Sequence, residues 1–299
     1  MRKNTLYYIL VCFISVTAYG QNMFTTTGDA DFIALDYTNY LDVNDIQIED
    51  KAIAIDFGSL LKASRFGFGV KYTEQSIDFM DYDHYHDFSA FNDVHTIELY
   101  LKYHQSINEQ WDMDVTLAPY LSSTFEEAIG SEDFIFSYAL NFTRVWDNEG
   151  LRSYLKLGAG YGALFGEPNF YPLVSYSSEI TEKFRVEIGL PVTGLYYKIN
   201  DQSRIDFTAQ PESIYANNSS AFGFSNDQLY EDSKLEFKAL KLAAGYHFQF
   251  DSNWATNFNV GYLTASEFSI QDNDTTIIDF EANNSIALSI GISFNINNK

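Results

Sequence analysis

The chain has 299 residues and a formal net charge of −23, with 41 acidic residues against 18 lysines and arginines. A surface this acidic repels phosphates, which argues strongly against nucleic acid as a partner. Tyr, Phe and Trp make up 17% of the residues, unlike the composition of a disordered acidic chain. The composition therefore indicates a folded, aromatic-rich protein.

Residues 1–20 begin with MRKN, continue through an apolar run and end in TAYG, an order typical of a secretory signal peptide. Cleavage after Gly20 would leave Gln21 as the first mature residue. Cys12 is the only cysteine, and it is either an ordinary apolar residue of this segment or, as the less favoured alternative, a site of lipid attachment. The mature chain then has no thiol, which excludes disulfides, thiolate zinc sites and cysteine nucleophiles.

Apolar and polar residues alternate with a period of two along most of the remaining chain, which predicts β-strands with one apolar and one wet face. In SIALSIGISFNI one face carries Ile286, Leu288, Ile290, Ile292 and Phe294. The runs are about 9 to 16 residues long, which suits tilted strands that cross a membrane better than strands of a soluble sheet. Strands are predicted near residues 32–41, 51–58, 65–77, 94–106, 111–121, 133–146, 152–164, 169–180, 184–197, 235–250, 254–268 and 285–296.

Short and long connections alternate between these strands. The short ones are polar turns at 107–110, 147–150, 181–183 and 251–253, and the long ones are acidic segments at 42–51, 78–93, 122–133 and 271–284. Short periplasmic turns and longer outer loops alternate in this way in outer-membrane barrels. The sequence therefore predicts a signal peptide at 1–20 and, at 21–299, a single antiparallel transmembrane β-barrel in the outer membrane of a gram-negative bacterium.

The number of strands depends on residues 198–234. Taken as one long outer loop, they leave about twelve strands, the count we prefer. If the chain reverses near Pro191, with a turn at 200–203, there are about fourteen strands. Two of those strands would have only about seven residues, which is short for a membrane crossing.

The segment GEPNFYPLVSYSSEITEKFRVEIGLPVTGLYYKIND, residues 166–201, resembles a family of outer-membrane β-barrels of unknown function. The matching positions are Gly166, Pro168, Pro172, Leu190 and Pro191. The similarity in strand rhythm continues to the C-terminus, where Phe294 closes a strand like the signal read by the barrel assembly machinery. The resemblance implies a barrel in the outer membrane and implies no catalytic residues.

The stretch DYDHYHDF, residues 81–88, holds two histidines among acids and aromatics. His84 and His86 point to the same side of an extended segment, so that with Asp83 they would form a candidate site for zinc or another divalent cation. The plainer interpretation, which we prefer, is an acidic aromatic loop near the lipid headgroups. Calcium or magnesium bridging such loops to lipopolysaccharide is a separate idea. We expect no other cofactor.

Polar side chains of both charge signs fall on the wet faces of the strands and are predicted to line the lumen. The set comprises Glu98, Lys102, Asp112, Asp114, Lys156, Arg185, Glu187 and Lys241. Mixed signs in a narrow barrel favour a salt-bridged filling, and the alternative is a polar pathway for small solutes. Gly158, Gly160 and Gly162 share this face and are predicted to relieve crowding or to bend the strand.

Three functions fit such a barrel. The first is a small-solute channel or transport-related barrel with an acidic outer mouth. The second is a non-conducting structural or interaction barrel whose outer loops bind a partner, a divalent cation or lipopolysaccharide. The third, an enzyme, is disfavoured because Thr96 rather than a serine follows the outward-facing His95, and His86 and Ser89 lie three apart in a loop. Expected partners are membrane lipid, lipopolysaccharide and the assembly machinery, and the oligomeric state is left open.

Overall fold

The computed structural model describes residues 31–60, 64–80, 82, 87–223, 229–272 and 275–296. The predicted signal peptide lies outside these residues. The strands are β1 Ile33–Leu41, β2 Gln47–Asp56, β3 Phe66–Asp78, β4 Asp93–Ser106, β5 Trp111–Ser123, β6 Phe134–Asn148, β7 Leu151–Gly162, β8 Asn169–Thr181, β9 Phe184–Leu190, β10 Thr193–Lys198, β11 Ser203–Asn217, β12 Phe222–Gly223, β13 Leu229–Tyr230, β14 Lys234–Gln249, β15 Trp254–Asp272, β16 Thr275–Asp279 and β17 Ser285–Phe294. Of the helices in these ranges, none has the length and apolar character to span a membrane.

The strands form a closed antiparallel barrel. Each strand from β1 to β11 pairs with its neighbour in the chain, β11 pairs with β14, β14 with β15, β15 with β17, and β17 with β1. The wall therefore contains fourteen strands, while β12 and β13 form a separate small hairpin and β16 extends the pairing at the end of β15. The predicted antiparallel barrel is confirmed, with the alternative count of fourteen rather than the preferred count of twelve.

The two extra strands come from the segment that the twelve-strand count treated as one strand and one loop. β9 and β10 have only seven and six residues, and the chain reverses between them at Pro191 and Val192. The long neighbouring strands β8 and β11, with 13 and 15 residues, make up the height that this hairpin lacks. Short length therefore did not exclude these strands from the wall.

Two predicted acidic loops are shorter than expected. β2 begins at Gln47, so residues 47–51 belong to the wall, where Asp50 faces inward across from Gln75. β15 continues to Asp272, and β16 pairs with its end. The connections at 79–92, 124–133 and 218–233 lie at one end of the barrel, here called the long-loop end. The tight turns at 107–110, 149–150, 182–183, 199–202 and 250–253 lie at the other, the short-turn end.

The alternating pattern separates the two faces of the wall as predicted. Exposed apolar side chains cover the outer face, among them Leu99, Leu101, Leu117, Phe136, Val174, Ile188, Leu195, Phe207, Leu240, Val260 and Leu288. Their neighbours in sequence point inward and are mostly polar or small. An apolar outer surface around a polar interior is the arrangement that lipid requires of a membrane barrel.

Glycines on the inner face allow close packing across the wall. A Cβ on Gly158 would lie 2.2 Å from the Leu140 carbonyl oxygen, and a Cβ on Gly160 would lie 2.6 Å from the Tyr171 ring. These glycines therefore relieve crowding, one of the two roles predicted for them. The Tyr100 ring packs closely over Gly69, where a Cβ would lie 2.2 Å from the ring, and it fills part of the lumen.

We expect Gly158→Ala to destabilise the barrel by about 1–3 kcal/mol, because the added methyl group meets backbone atoms that cannot move aside easily. The matched control is Gly67→Ala, on the same inner face, where the nearest atoms to the added Cβ are 3.8 Å away. Urea unfolding followed by tryptophan fluorescence compares the two variants. Equal stability of the two would contradict this view of the packing.

Candidate functional site in the barrel interior

The inner face of β4 shows how the interior changes from one end of the barrel to the other. Near the short-turn end the side chains of His104 and Lys102 are 53% and 30% exposed. Further along the strand Tyr100 and Glu98 are only 6% and 8% exposed, and Val94 at the long-loop end is fully buried. The interior is thus accessible from the short-turn end and closed at the long-loop end.

Acidic side chains and a histidine line the accessible part, here called the vestibule. His104 Nδ1 lies 2.7 Å from Asp114 Oδ1, and Ser106 Oγ donates a 2.7 Å hydrogen bond to Asp112. Lys102, on the same strand as His104, places its Nζ 3.8 Å from Oδ2 of Asp56 on β2. Small solutes entering this end would meet carboxylates first.

A second charged group occupies the interior beside the short hairpin of β9 and β10. The Arg185 guanidinium lies 3.9 Å from Glu187 and 4.0 Å from the centre of the Tyr196 ring. The Tyr196 hydroxyl donates to Glu187 at 3.4 Å. Lys156, on β7, is also buried in the interior. Ion pairs and ring contacts therefore fill this side of the lumen.

A cavity of about 70 Å³ lies deeper in the barrel. Four carboxylates and two lysines contribute to its lining, namely Asp36, Asp50, Glu98, Glu212, Lys71 and Lys241. Lys241 Nζ lies 2.7 Å from Glu212 Oε2, and both side chains are buried. A volume of this size has room for several water molecules. Polar side chains therefore line both the vestibule and the closed part of the barrel, and on β4 the buried Tyr100 lies between the two.

An apolar cluster closes the barrel above this cavity, and we call it the cap cluster. Its members are Tyr40, Val43, Ile46, Ile48, Ile77, Phe79, Phe88, Phe91, Val94, Ile214, Ala216, Phe222, Leu235, Phe237, Ala239, Leu263, Phe268, Ile270, Phe280 and Ala287. Some come from strand ends and others from the long loops, so the loops fold inward over the mouth. Tyr40 and Ile214 also line the cavity, which places the cap cluster directly above it.

A contact between opposite walls narrows the same end. The last residue of β11, Asn217, pairs with Ser123 at the end of β5. The Asn217 side chain donates to Asp133 at 2.9 Å, and Lys234 Nζ donates to Asn217 Oδ1 at 2.9 Å. This contact, here called the clasp, joins two long loops across the mouth.

Asp133 is the carboxyl group of the clasp and accepts hydrogen bonds from the Asn217 side chain and the Gly130 N–H. Burial raises the pKa of this carboxyl group, but hydrogen bonds from Ser123, Asn217 and the Gly130 N–H, together with the charge of Lys234, outweigh that effect and hold the pKa below its ordinary value. The ionised form of Asp133 is therefore the form that stabilises the clasp.

We expect Asp133→Ala to cost about 1–3 kcal/mol of unfolding free energy at pH 7, because it leaves buried donors without their acceptor. Since the pKa is lowered, this contribution is complete above the ordinary pKa of about 3.9 and disappears as the pH falls through the lowered value. Denaturant unfolding of wild type and variant at pH 7 and pH 3 measures the difference. A gap that persists unchanged at pH 3 would contradict the assignment, and Glu126→Ala in the exposed part of the same loop is the control.

The structure places all eight residues of the predicted lumen set on the inner face of the wall. They fall into the vestibule, the group beside β9 and β10, and the cavity. The candidate metal residues His84, His86 and Asp83 lie outside the described residues. Among the residues that are described, no three histidine or carboxylate side chains come close enough to hold a metal ion directly.

Sequence reasoning missed Glu212 and the cap cluster. Glu212 lies on β11, which the preferred strand count assigned to an outer loop, although the alternation in RIDFTAQPESIYA was a usable signal. The cap cluster combines residues from many loops and strand ends. Alternation within single strands contains no information about how loops fold over one another.

A closed ring of alternating strands with an apolar outer face and a polar interior defines a transmembrane β-barrel. The chain belongs to the DUF6268 family, described as a domain of unknown function, which matches residues 61–298. A comparison with curated proteins finds no match.

Several solved structures are similar to this chain. The NanC porin is 9% identical with a TM-score of 0.42, over 88% of this chain and 100% of the porin. The KdgM porin in complex with disordered oligogalacturonate is 10% identical with a TM-score of 0.39, over 88% and 99%. Outer membrane phospholipase A from Escherichia coli is 12% identical with a TM-score of 0.35, over 93% and 94%.

Proposed function

We propose that the protein is a small-solute channel of the outer membrane and that its lumen is closed in this structure. The supporting observation is the polar lining of the vestibule and of the buried cavity, which the cap cluster closes off at the long-loop end. A barrel with a purely structural role has no need of an accessible vestibule and a polar cavity beyond it.

The proposed orientation puts the long loops outside the cell and the tight turns in the periplasm. Exposed acids at the long-loop end, among them Asp42, Asp45, Glu126, Glu127 and Glu281, then give the channel an acidic outer mouth. Such a mouth concentrates cations and repels anions. Membrane lipid and lipopolysaccharide surround the barrel in this proposal, and the assembly machinery reads the strand that ends at Phe294.

Planar-bilayer recording of the detergent-refolded protein tests the channel. We expect long closed periods with rare, cation-selective steps, and more steps when the cap cluster is weakened. Folding is checked independently from the heat-dependent shift in electrophoretic mobility. Folded protein that conducts in neither form would overturn the proposal.

A non-conducting interaction barrel is the second candidate, and the cap cluster is the observation that favours it. Phe79, Phe88 and Phe280 pack with ring centres 5.0–5.4 Å apart, as in a permanent core. In that case the folded loops form a fixed surface for a partner. Absence of current after removal of these rings would select this function.

We propose no enzymatic activity for this barrel. The outward-facing His95 accepts or donates a 2.9 Å hydrogen bond with the Tyr72 hydroxyl, and its ring stacks between Tyr72 and Phe125. The imidazole is thus used in packing at the outer face. Hydrolysis of phospholipid micelles by the folded protein, lost on His95→Ala, would contradict this proposal.

A further inference from the structure

We propose that the buried cavity beneath the cap cluster is a binding site for a monovalent cation that keeps part of its hydration shell. This inference rests on the proposed channel function, since it names the class of solute that the lumen would accept. Three observations support it: the charge of the cavity lining, the side-chain amide of Gln75 and the size of the cavity.

The charge of the lining favours a cation. Four carboxyl groups face two lysines, which gives the lining a formal net charge of −2. The ammonium group of Lys241 lies 2.7 Å from Glu212, so these two charges offset each other. Of the remaining charged groups in the lining, three are acidic, namely Asp36, Asp50 and Glu98, and only Lys71 is basic. Charges interact more strongly in a buried, poorly hydrated space than in water. A cation in the cavity would offset this excess.

The Gln75 amide is the second, independent observation. Its side chain lines the cavity, and the residue is only 7% exposed. Nε2 donates a 3.0 Å hydrogen bond to Asp50 Oδ2, which leaves the carbonyl oxygen Oε1 as the free end of the amide. Within the described part of the chain, Oε1 accepts no hydrogen bond. Buried carbonyl oxygens are nearly always paired, and they are good ligands for hard cations.

The size and the spacing of the lining select the kind of cation. A cavity of about 70 Å³ holds an ion together with a few waters. Divalent calcium and magnesium require several direct oxygen ligands or strict octahedral geometry. No three described carboxylates or histidines are close enough to provide such a centre. The hydroxyl groups of Thr73 and Thr96 add weak neutral ligands suited to a partly hydrated monovalent ion.

Thallium(I), a monovalent ion with a strong anomalous signal, is the probe. Crystals of the full-length mature barrel in thallium acetate are expected to show an anomalous peak in the cavity next to Gln75 Oε1. The peak should be lost in Glu98→Gln and in Gln75→Met, which keep the side-chain size, and should persist in Asp201→Asn, which changes an exposed turn outside the lumen. The site would be overturned if wild-type crystals show no anomalous peak in the cavity, or if the peak remains in both Glu98→Gln and Gln75→Met.

Bilayer recordings separate this inference from the channel proposal. An anomalous peak in a barrel that never conducts would support the site and overturn the channel. Currents from the weakened cap without any peak, and with selectivity unchanged by Glu98→Gln, would support the channel and overturn the site.

Discussion

Replacing both Phe88 and Phe280 by alanine is expected to convert a mostly closed barrel into one that conducts ions readily. Both rings belong to the cap cluster, come from loops rather than wall strands and are fully buried, with centres 5.4 Å apart. Each truncation removes roughly 3–5 kcal/mol of packing from the cap cluster. Because neither residue lies in a wall strand, the hydrogen bonds of the wall stay intact and only the packing of the cap cluster is weakened.

Single-channel recording of the double variant measures the effect as an increased fraction of time in open steps. The matched control is Phe134→Ala with Phe136→Ala, which removes two rings from the lipid-facing side of β6. Circular dichroism and heat-modifiable mobility establish that each variant is folded. A folded double variant that is as silent as wild type would show that the cap cluster is not what closes the lumen.

Lys241→Met is expected to destabilise the barrel by about 3–5 kcal/mol, because the carboxylate of Glu212 would stay buried without its cation. The two charged atoms are 2.7 Å apart, and the two side chains are only 6% and 7% exposed. Adding Glu212→Leu removes the second charge and should recover most of the loss, since a well-packed apolar pair can replace a buried ion pair.

Equilibrium unfolding of the two single variants and the double variant completes a double-mutant cycle. Lys198→Met is the control, because Lys198 pairs at 2.8 Å with the exposed Asp201 in a turn, where an ion pair contributes little. Additive losses in the cycle would contradict a coupled buried pair.

The wall of this barrel could be predicted from the sequence, because alternation fixes both the strand and the face of each side chain. In β17, for example, Ile286, Leu288 and Ile290 all lie on the outer face, as the pattern indicates. The number of strands could not be fixed, since the short β9 and β10 depend on long neighbours for support.

The closed mouth could not be predicted for a different reason. In β15, Ala265 has a positive φ and lies where the register against β14 shifts. Before this point the even-numbered residues Phe258 and Val260 face outward, whereas after it the even-numbered Phe268 faces inward. A bulge reverses the alternation without any simple local signal. The inward folding of Phe79 and the other loop residues depends on contacts between distant parts of the chain.

Thiol labelling of single-cysteine variants tests most directly whether the polar path is accessible from the short-turn end and closed at the long-loop end. Cys12, the only native cysteine, lies in the predicted signal peptide, so Asp114→Cys in the vestibule and Thr96→Cys in the cavity each supply one thiol. A small charged methanethiosulfonate reagent is applied to either side of oriented proteoliposomes. We expect Asp114→Cys to react from the short-turn side only, and Thr96→Cys to react from the long-loop side only after Phe88 and Phe280 are truncated. Rapid reaction of Thr96→Cys from the long-loop side with the cap cluster intact would contradict a closed outer mouth.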